Sequence, residues 1–123
     1  MRVNLKVRVK RIYEPAEEAD GYRVLVDRLW PRGVSKDGAS LDAWMREIAP
    51  SGELRRWFGH DVSRWREFKR RYAGELDTRQ DLVAEILSMA KQRPVTLLYS
   101  ARDTDHNQAV ALARYLEASV RSD

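Results

Sequence analysis

The chain has 123 residues, 43% of them hydrophobic, with four Trp, five Tyr and two Phe; that is the size of one domain able to bury its own core, and residues 1–123 read as a single domain. It contains no cysteine, which excludes disulfides, thiolate metal sites and every thiol nucleophile. The formal net charge of +4 comes from 23 Lys and Arg against 19 Asp and Glu; a basic balance favours acidic partners, but this excess is too small to predict specific nucleic-acid binding.

The first predicted element is a strand over residues 3–12. Val3, Leu5, Val7 and Val9 alternate with Asn4, Lys6, Arg8 and Lys10, the period of a half-buried strand near a sheet edge. The same alternation rules out the apolar core of a secretion signal. No apolar run approaches the ~20 residues that span a bilayer, so no membrane partner is expected. The expected compartment is the reducing cytoplasm. Residues 14–21, with Pro15 and Gly21, form a loop.

Residues 22–27 are a second strand, whose consecutive Val24, Leu25 and Val26 suit burial on both faces. Residues 28–40 hold Pro31, Gly33 and Gly38 without an apolar period and form a long loop, which in a compact domain is usually functional or mobile. Residues 41–48 are ambiguous: Leu41, Trp44, Met45 and Ile48 fit a helical stripe closed by Pro50. Ser51 then caps a short helix through Phe58.

Trp65, Phe68, Tyr72 and Leu76 stand on one face of a helix over residues 61–76 and are expected to be buried. Thr78 and Asp81 resemble a capping box opening a helix with the stripe Leu82, Val83, Ile86, Leu87 and Ala90, which Pro94 ends. Residues 95–99 are a third, continuously apolar strand. Asp103 or Thr104 caps a last helix that buries Ala109, Leu112, Ala113, Leu116 and Val120. A strand–helix–strand crossover is most simply parallel and right-handed. The predicted fold is therefore α/β: a small, mainly parallel sheet flanked by helices in one layered sandwich.

Ligands of open α/β sheets bind beyond the carboxyl ends of the strands. The second strand leads into Asp27, Arg28 and Arg32, the third into Ser100, Arg102 and Asp103. If those two strands are adjacent, Arg28, Arg32, Ser100 and Arg102 converge beside the N-terminus of the last helix, where free N–H groups favour anions. The planar guanidinium fork suits phosphate or carboxylate. Structural ion pairing, of Asp27 with Arg28 or Arg102, is the competing reading of the same residues. Asp27 and His106 are the candidate acid–base groups. His60 is the other histidine; the two make no metal-ligand spacing, and neither a metal nor a cofactor is expected. The glycines are isolated, so no phosphate loop or dinucleotide fingerprint is present.

A second basic region spans residues 55–71, where Arg55, Arg56, Arg64, Arg66, Lys69, Arg70 and Arg71 interleave with Trp57, Phe58, Trp65 and Phe68. Such a face could bind nucleic acid, unless Trp65 and Phe68 belong to the core.

Several stretches are familiar together: Lys10-Arg11-Ile12-Tyr13, Asp27-Arg28-Leu29-Trp30-Pro31-Arg32-Gly33, Ala49-Pro50-Ser51, Leu54-Arg55-Arg56-Trp57-Phe58-Gly59-His60-Asp61 and Leu97-Leu98-Tyr99-Ser100-Ala101-Arg102-Asp103. Through them the chain resembles the YeaO-like branch of the family called domain of unknown function 488, over nearly its whole length. The resemblance implies a small cytoplasmic α/β domain and no particular activity. Related branches carry Cys near the end of the last strand, where this chain has Tyr99 and Ser100. A loop built like those of rhodaneses or Cys phosphatases would here be a cradle without its nucleophile. The preferred reading is a protein that binds a small phosphorylated or carboxylated ligand at the carboxyl edge of the sheet. The alternatives are a nucleic-acid module using residues 55–71, and a non-enzymatic interaction domain.

Overall fold

The computed structural model describes residues 5–121, so the expected strand positions Val3 and Asn4 lie outside the described residues. Four strands, β1 (Val7–Arg11), β2 (Tyr22–Leu25), β3 (Ala43–Trp44) and β4 (Val95–Tyr99), form one sheet in the order β1-β4-β2-β3. Every pairing in it is parallel. The α-helices are α1 (Gly52–Phe58), α2 (Trp65–Leu76), α3 (Gln80–Gln92) and α4 (Gln108–Arg121).

The two most apolar strands, β2 and β4, take the centre of the sheet. All five β4 residues are buried, and β4 is flanked by β1 and β2. The expected adjacency of the second and third predicted strands is therefore met, with Tyr22 opposite Val95 and Leu25 opposite Leu98. The ladder runs one residue past β2, since Val26 N donates to the Leu98 carbonyl at 3.0 Å. Both chains then leave the sheet on the same edge.

Register partners share a face, so the sheet divides its burial cleanly. Val24, Val95, Leu97 and Tyr99 face a core to which all four α-helices contribute, including Phe68, Tyr72, Leu76, Ile86, Leu112 and Leu116. Each fully buried side chain of this kind contributes about 1.5–3 kcal/mol. Leu25 and Leu98 point the other way, into a smaller cluster with Ile12 and Ala39. Among the described residues no α-helix residue belongs to that cluster; Trp30, Val34 and Leu41 of the long loop pack against it, together with Trp44. The flanking helices thus gather on one face, and the long loop serves as the second layer. The indole N–H groups hold it down: Trp30 donates to the Val34 carbonyl and Trp44 to the Asp27 carbonyl, each at 2.7 Å.

Four local expectations are corrected. Residues 41–48 are not a helix but the edge strand β3 followed by a 3-10 turn (Arg46–Ile48). Ala43 and Met45 pack on the helical side and Trp44 on the loop side, an alternation only a strand allows. Thr78 does not cap α3; its hydroxyl donates back to the Glu75 carbonyl at 2.7 Å. The cap of α4 is Asn107, whose Oδ1 accepts from Val110 N at 3.0 Å, rather than Asp103 or Thr104.

In β1, finally, Val9 is 36% exposed while Lys10 is only 7% exposed. Segment 14–20 folds over the loop side of β1 and carries Asp20, fully buried, to 3.1 Å from Lys10 Nζ and 2.5 Å from Arg23 Nη1. Burial pushes the Asp20 carboxyl up. The Glu17 N–H, Lys10 and Arg23 together outweigh it and hold the group below its usual range. A buried charge persists only when paired in this way.

Candidate ligand cleft at the carboxyl edge of the sheet

Beyond the ends of β2 and β4 lies a cleft of about 370 Å³. Its floor is Asp27, 7% exposed. Asp27 Oδ2 accepts from the Ser100 backbone N–H at 3.1 Å and the Ser100 hydroxyl at 2.5 Å. Its Oδ1 accepts from Gln108 Nε2 in the first turn of α4. One carboxylate therefore ties together both strand ends and the start of the last helix. Burial pushes its pKa up, against the opposing pull of Ser100, Gln108 and the Arg55 charge.

Three arginines line this cleft: Arg28, Arg32 and Arg55. Arg28 is held in place by its own fork, with Nε donating to the Pro50 carbonyl at 3.2 Å and Nη2 to the Ala49 carbonyl at 3.1 Å. Those two bonds use two of the five guanidinium donors, leaving three. None of the three arginines has a carboxylate within ion-pair distance among the described residues. Three positive charges, one of them held in place, thus line the cleft with the carboxylate of Asp27.

Both histidines reach the cleft. His60 follows the left-handed Gly59 that ends α1 and itself has φ +58°, a conformation His tolerates better than most residues. His106 is aimed by Asp103, whose Oδ2 lies 3.0 Å from Nδ1, and by a T-shaped contact with Trp65, ring centroids 5.3 Å apart. Backbone N–H groups of Asp105 and His106 also converge on Asp103 Oδ1. The Asp105 N–H above all, and then the imidazole, hold that carboxyl below its usual range.

Of the residues expected at the site, the structure gathers Asp27, Arg28, Arg32, Ser100 and His106 around one cavity. Ser100 is turned inward: its proton goes to Asp27, so it braces the floor instead of offering a donor to a ligand. Arg102 is exposed and does not line the cleft. Arg55 occupies the third cationic position. From sequence, Arg55 belongs to the basic region 55–71; the signal that singles it out is its position just after the Ser51-capped start of α1, beside Ala49 and Pro50, which also line the cleft.

The remainder of that basic stretch is differently occupied. Phe68 is 2% exposed and Trp65 half-buried, stacked at 5.7 Å in the aromatic core. Arg70 and Arg71 pair with Glu67 at 2.6 and 2.9 Å, and Arg71 also covers the Trp57 ring at 4.2 Å. Among the described residues no cluster of three potential metal ligands exists, and no helix is long and apolar enough to cross a membrane.

Comparison with known proteins places this architecture. The chain is 45% identical over 114 residues to the uncharacterized protein YeaO of Escherichia coli K12, covering 93% of this chain and 99% of that one. It is 40% identical over 111 residues to the uncharacterized protein Rv3073c of Mycobacterium tuberculosis H37Rv, covering 90% of this chain and 93% of the relative. The uncharacterized protein Mb3100c of Mycobacterium bovis matches to the same extent. No solved structure shows a significant match. Residues 6–123 match the family described as the inactive DUF488-N3 subclade. The chain is thus a YeaO-like member of the DUF488 family, belonging to its inactive N3 subclade.

Proposed function

We propose that the chain binds a small phosphorylated or carboxylated ligand in the cleft at the carboxyl edge of the sheet. Arg28, Arg32 and Arg55 hold the anion, and Asp27 organises the floor. The observation that carries this reading is the gathering, around one partly enclosed cavity, of three arginines with no carboxylate within ion-pair distance among the described residues. Their mutual repulsion is a standing cost in the empty protein, and an anion relieves it. Arg28 is already pinned to two carbonyls, so little side-chain entropy is lost when its remaining donors engage.

The family description as inactive and the absence of cysteine favour binding over covalent chemistry. Asp27 and His106, the acid–base candidates read from the sequence, both line the cleft, as does His60. The test is a titration of inorganic phosphate into 15N-labelled protein followed by NMR. Saturable shifts at the amides of Arg28, Leu29, Asn107 and Gln108 are expected. Unchanged spectra up to tens of millimolar phosphate, on the order of the weakest useful affinities, would remove the reading.

A further inference from the structure

We infer that the anion held in this cleft carries a flat aromatic ring, and that Tyr13 is the residue that selects it; the inference rests on the anion-binding reading above. Tyr13 follows β1, lines the cleft and is 46% exposed. So exposed a tyrosine is ordinarily free to change rotamer, but this one is held at both ends. Its hydroxyl donates to the Arg32 carbonyl at 2.9 Å, and the Arg11 guanidinium lies 4.8 Å from the ring centroid. Arg11 is fixed in turn: Nε donates to the Ala101 carbonyl at 2.9 Å and Nη2 to the Ser100 carbonyl at 3.0 Å. The ring is therefore pinned between the loop after β2 and the loop after β4, with the cation against it and nearly half of the residue's surface open.

A pre-positioned aromatic surface loses little freedom when a second ring stacks on it. The other walls agree. Trp30, Pro31 and Phe58 give the cleft apolar surface beside Arg28 and Arg55. Its volume of about 370 Å³ is many times the roughly 30 Å³ of one water. A bare phosphate or carboxylate would satisfy the arginines and leave that apolar wall wet, whereas a ring attached to the anion would cover it. The same two-part chemistry is found in aryl phosphates and in aryl carboxylates.

Calorimetry with phenyl phosphate against n-propyl phosphate, and with phenylacetate against butyrate, separates those two sources. In wild-type protein the aromatic member of at least one pair should bind about fivefold tighter, the ordinary worth of one aromatic contact. Tyr13→Ala should bring that ratio close to one, and Tyr13→Phe, which keeps the ring, should retain most of it. Because the readout is a ratio within each protein, a general loss of affinity does not imitate it. Equal affinities within both pairs in wild type, or an unchanged ratio in Tyr13→Ala, overturn the role of the ring while leaving anion binding intact. Failure of all four compounds and of inorganic phosphate overturns both readings.

Discussion

Asp27 and Ser100 join the two central strands where they leave the sheet: the Ser100 amide and hydroxyl both donate to one oxygen of the Asp27 carboxylate, at 3.1 and 2.5 Å. The bond spans 73 positions of sequence and forms only because β2 and β4 are parallel neighbours. It sets the floor of the cleft and, through Gln108, the position of α4.

Replacing Asp27 by Ala leaves the Ser100 and Gln108 donors unmatched and should cost about 1–3 kcal/mol of stability. Asp27→Asn should cost less, because Gln108 can turn its carbonyl toward the new amide. Urea denaturation of the three proteins measures the difference. The pH dependence has a definite sign. Burial raises the Asp27 pKa in the folded chain, so between the ordinary carboxylate value and the raised one the native state binds more protons than the unfolded chain. The Asp27 contribution therefore falls as pH rises through that window, and Asp27→Asn should remove this component.

Asp20 behaves in the opposite sense. Its carboxyl is held below the usual range in the folded chain, so its contribution is fully present above the unfolded value and is lost as pH falls through the folded one. Asp20→Ala strands Lys10 and Arg23, which are 7% and 5% exposed, and should cost about 3–5 kcal/mol. A loss below about 1 kcal/mol in urea denaturation would show that water reaches the two cations.

Gly21 has φ +64°, and a Cβ there would strike the Pro94 carbonyl oxygen, which already accepts from Tyr22 N at 2.8 Å. Gly21→Ala should therefore destabilise by more than about 1 kcal/mol, read as a lowered thermal midpoint. An unchanged midpoint would mean that the β1–β2 loop repositions freely.

The sheet was legible because Val24, Leu25 and Val26, and Val95, Leu97, Leu98 and Tyr99 with only Thr96 among them, form mostly apolar runs, the pattern of interior parallel strands. The carboxyl-edge position of Asp27, Arg28 and Ser100 followed from that alone. Lys10 was not legible, since an alternating charge reads as solvent-facing until segment 14–20 brings Asp20 over it. Arginine was the hardest residue to place. Arg11, Arg23, Arg28 and Arg79 all spend donors on backbone carbonyls, and a carbonyl clamp has no sequence signature distinct from an anion site. Arg55 and Arg102 changed places for the same reason: which guanidinium faces the cleft depends on how α1 docks against the strand ends.

Calorimetric titration of inorganic phosphate into wild type, Arg55→Ala and Arg102→Ala tests the cleft most directly. Arg55 lines it and Arg102 does not, yet each substitution removes one positive charge, so the long-range field changes equally. Loss of one charge-assisted hydrogen bond is worth about 1.5–3 kcal/mol. Arg55→Ala should therefore weaken phosphate binding at least about tenfold, while Arg102→Ala stays within about twofold of wild type. Equal weakening by the two substitutions, or weakening by Arg102→Ala alone, would contradict the site.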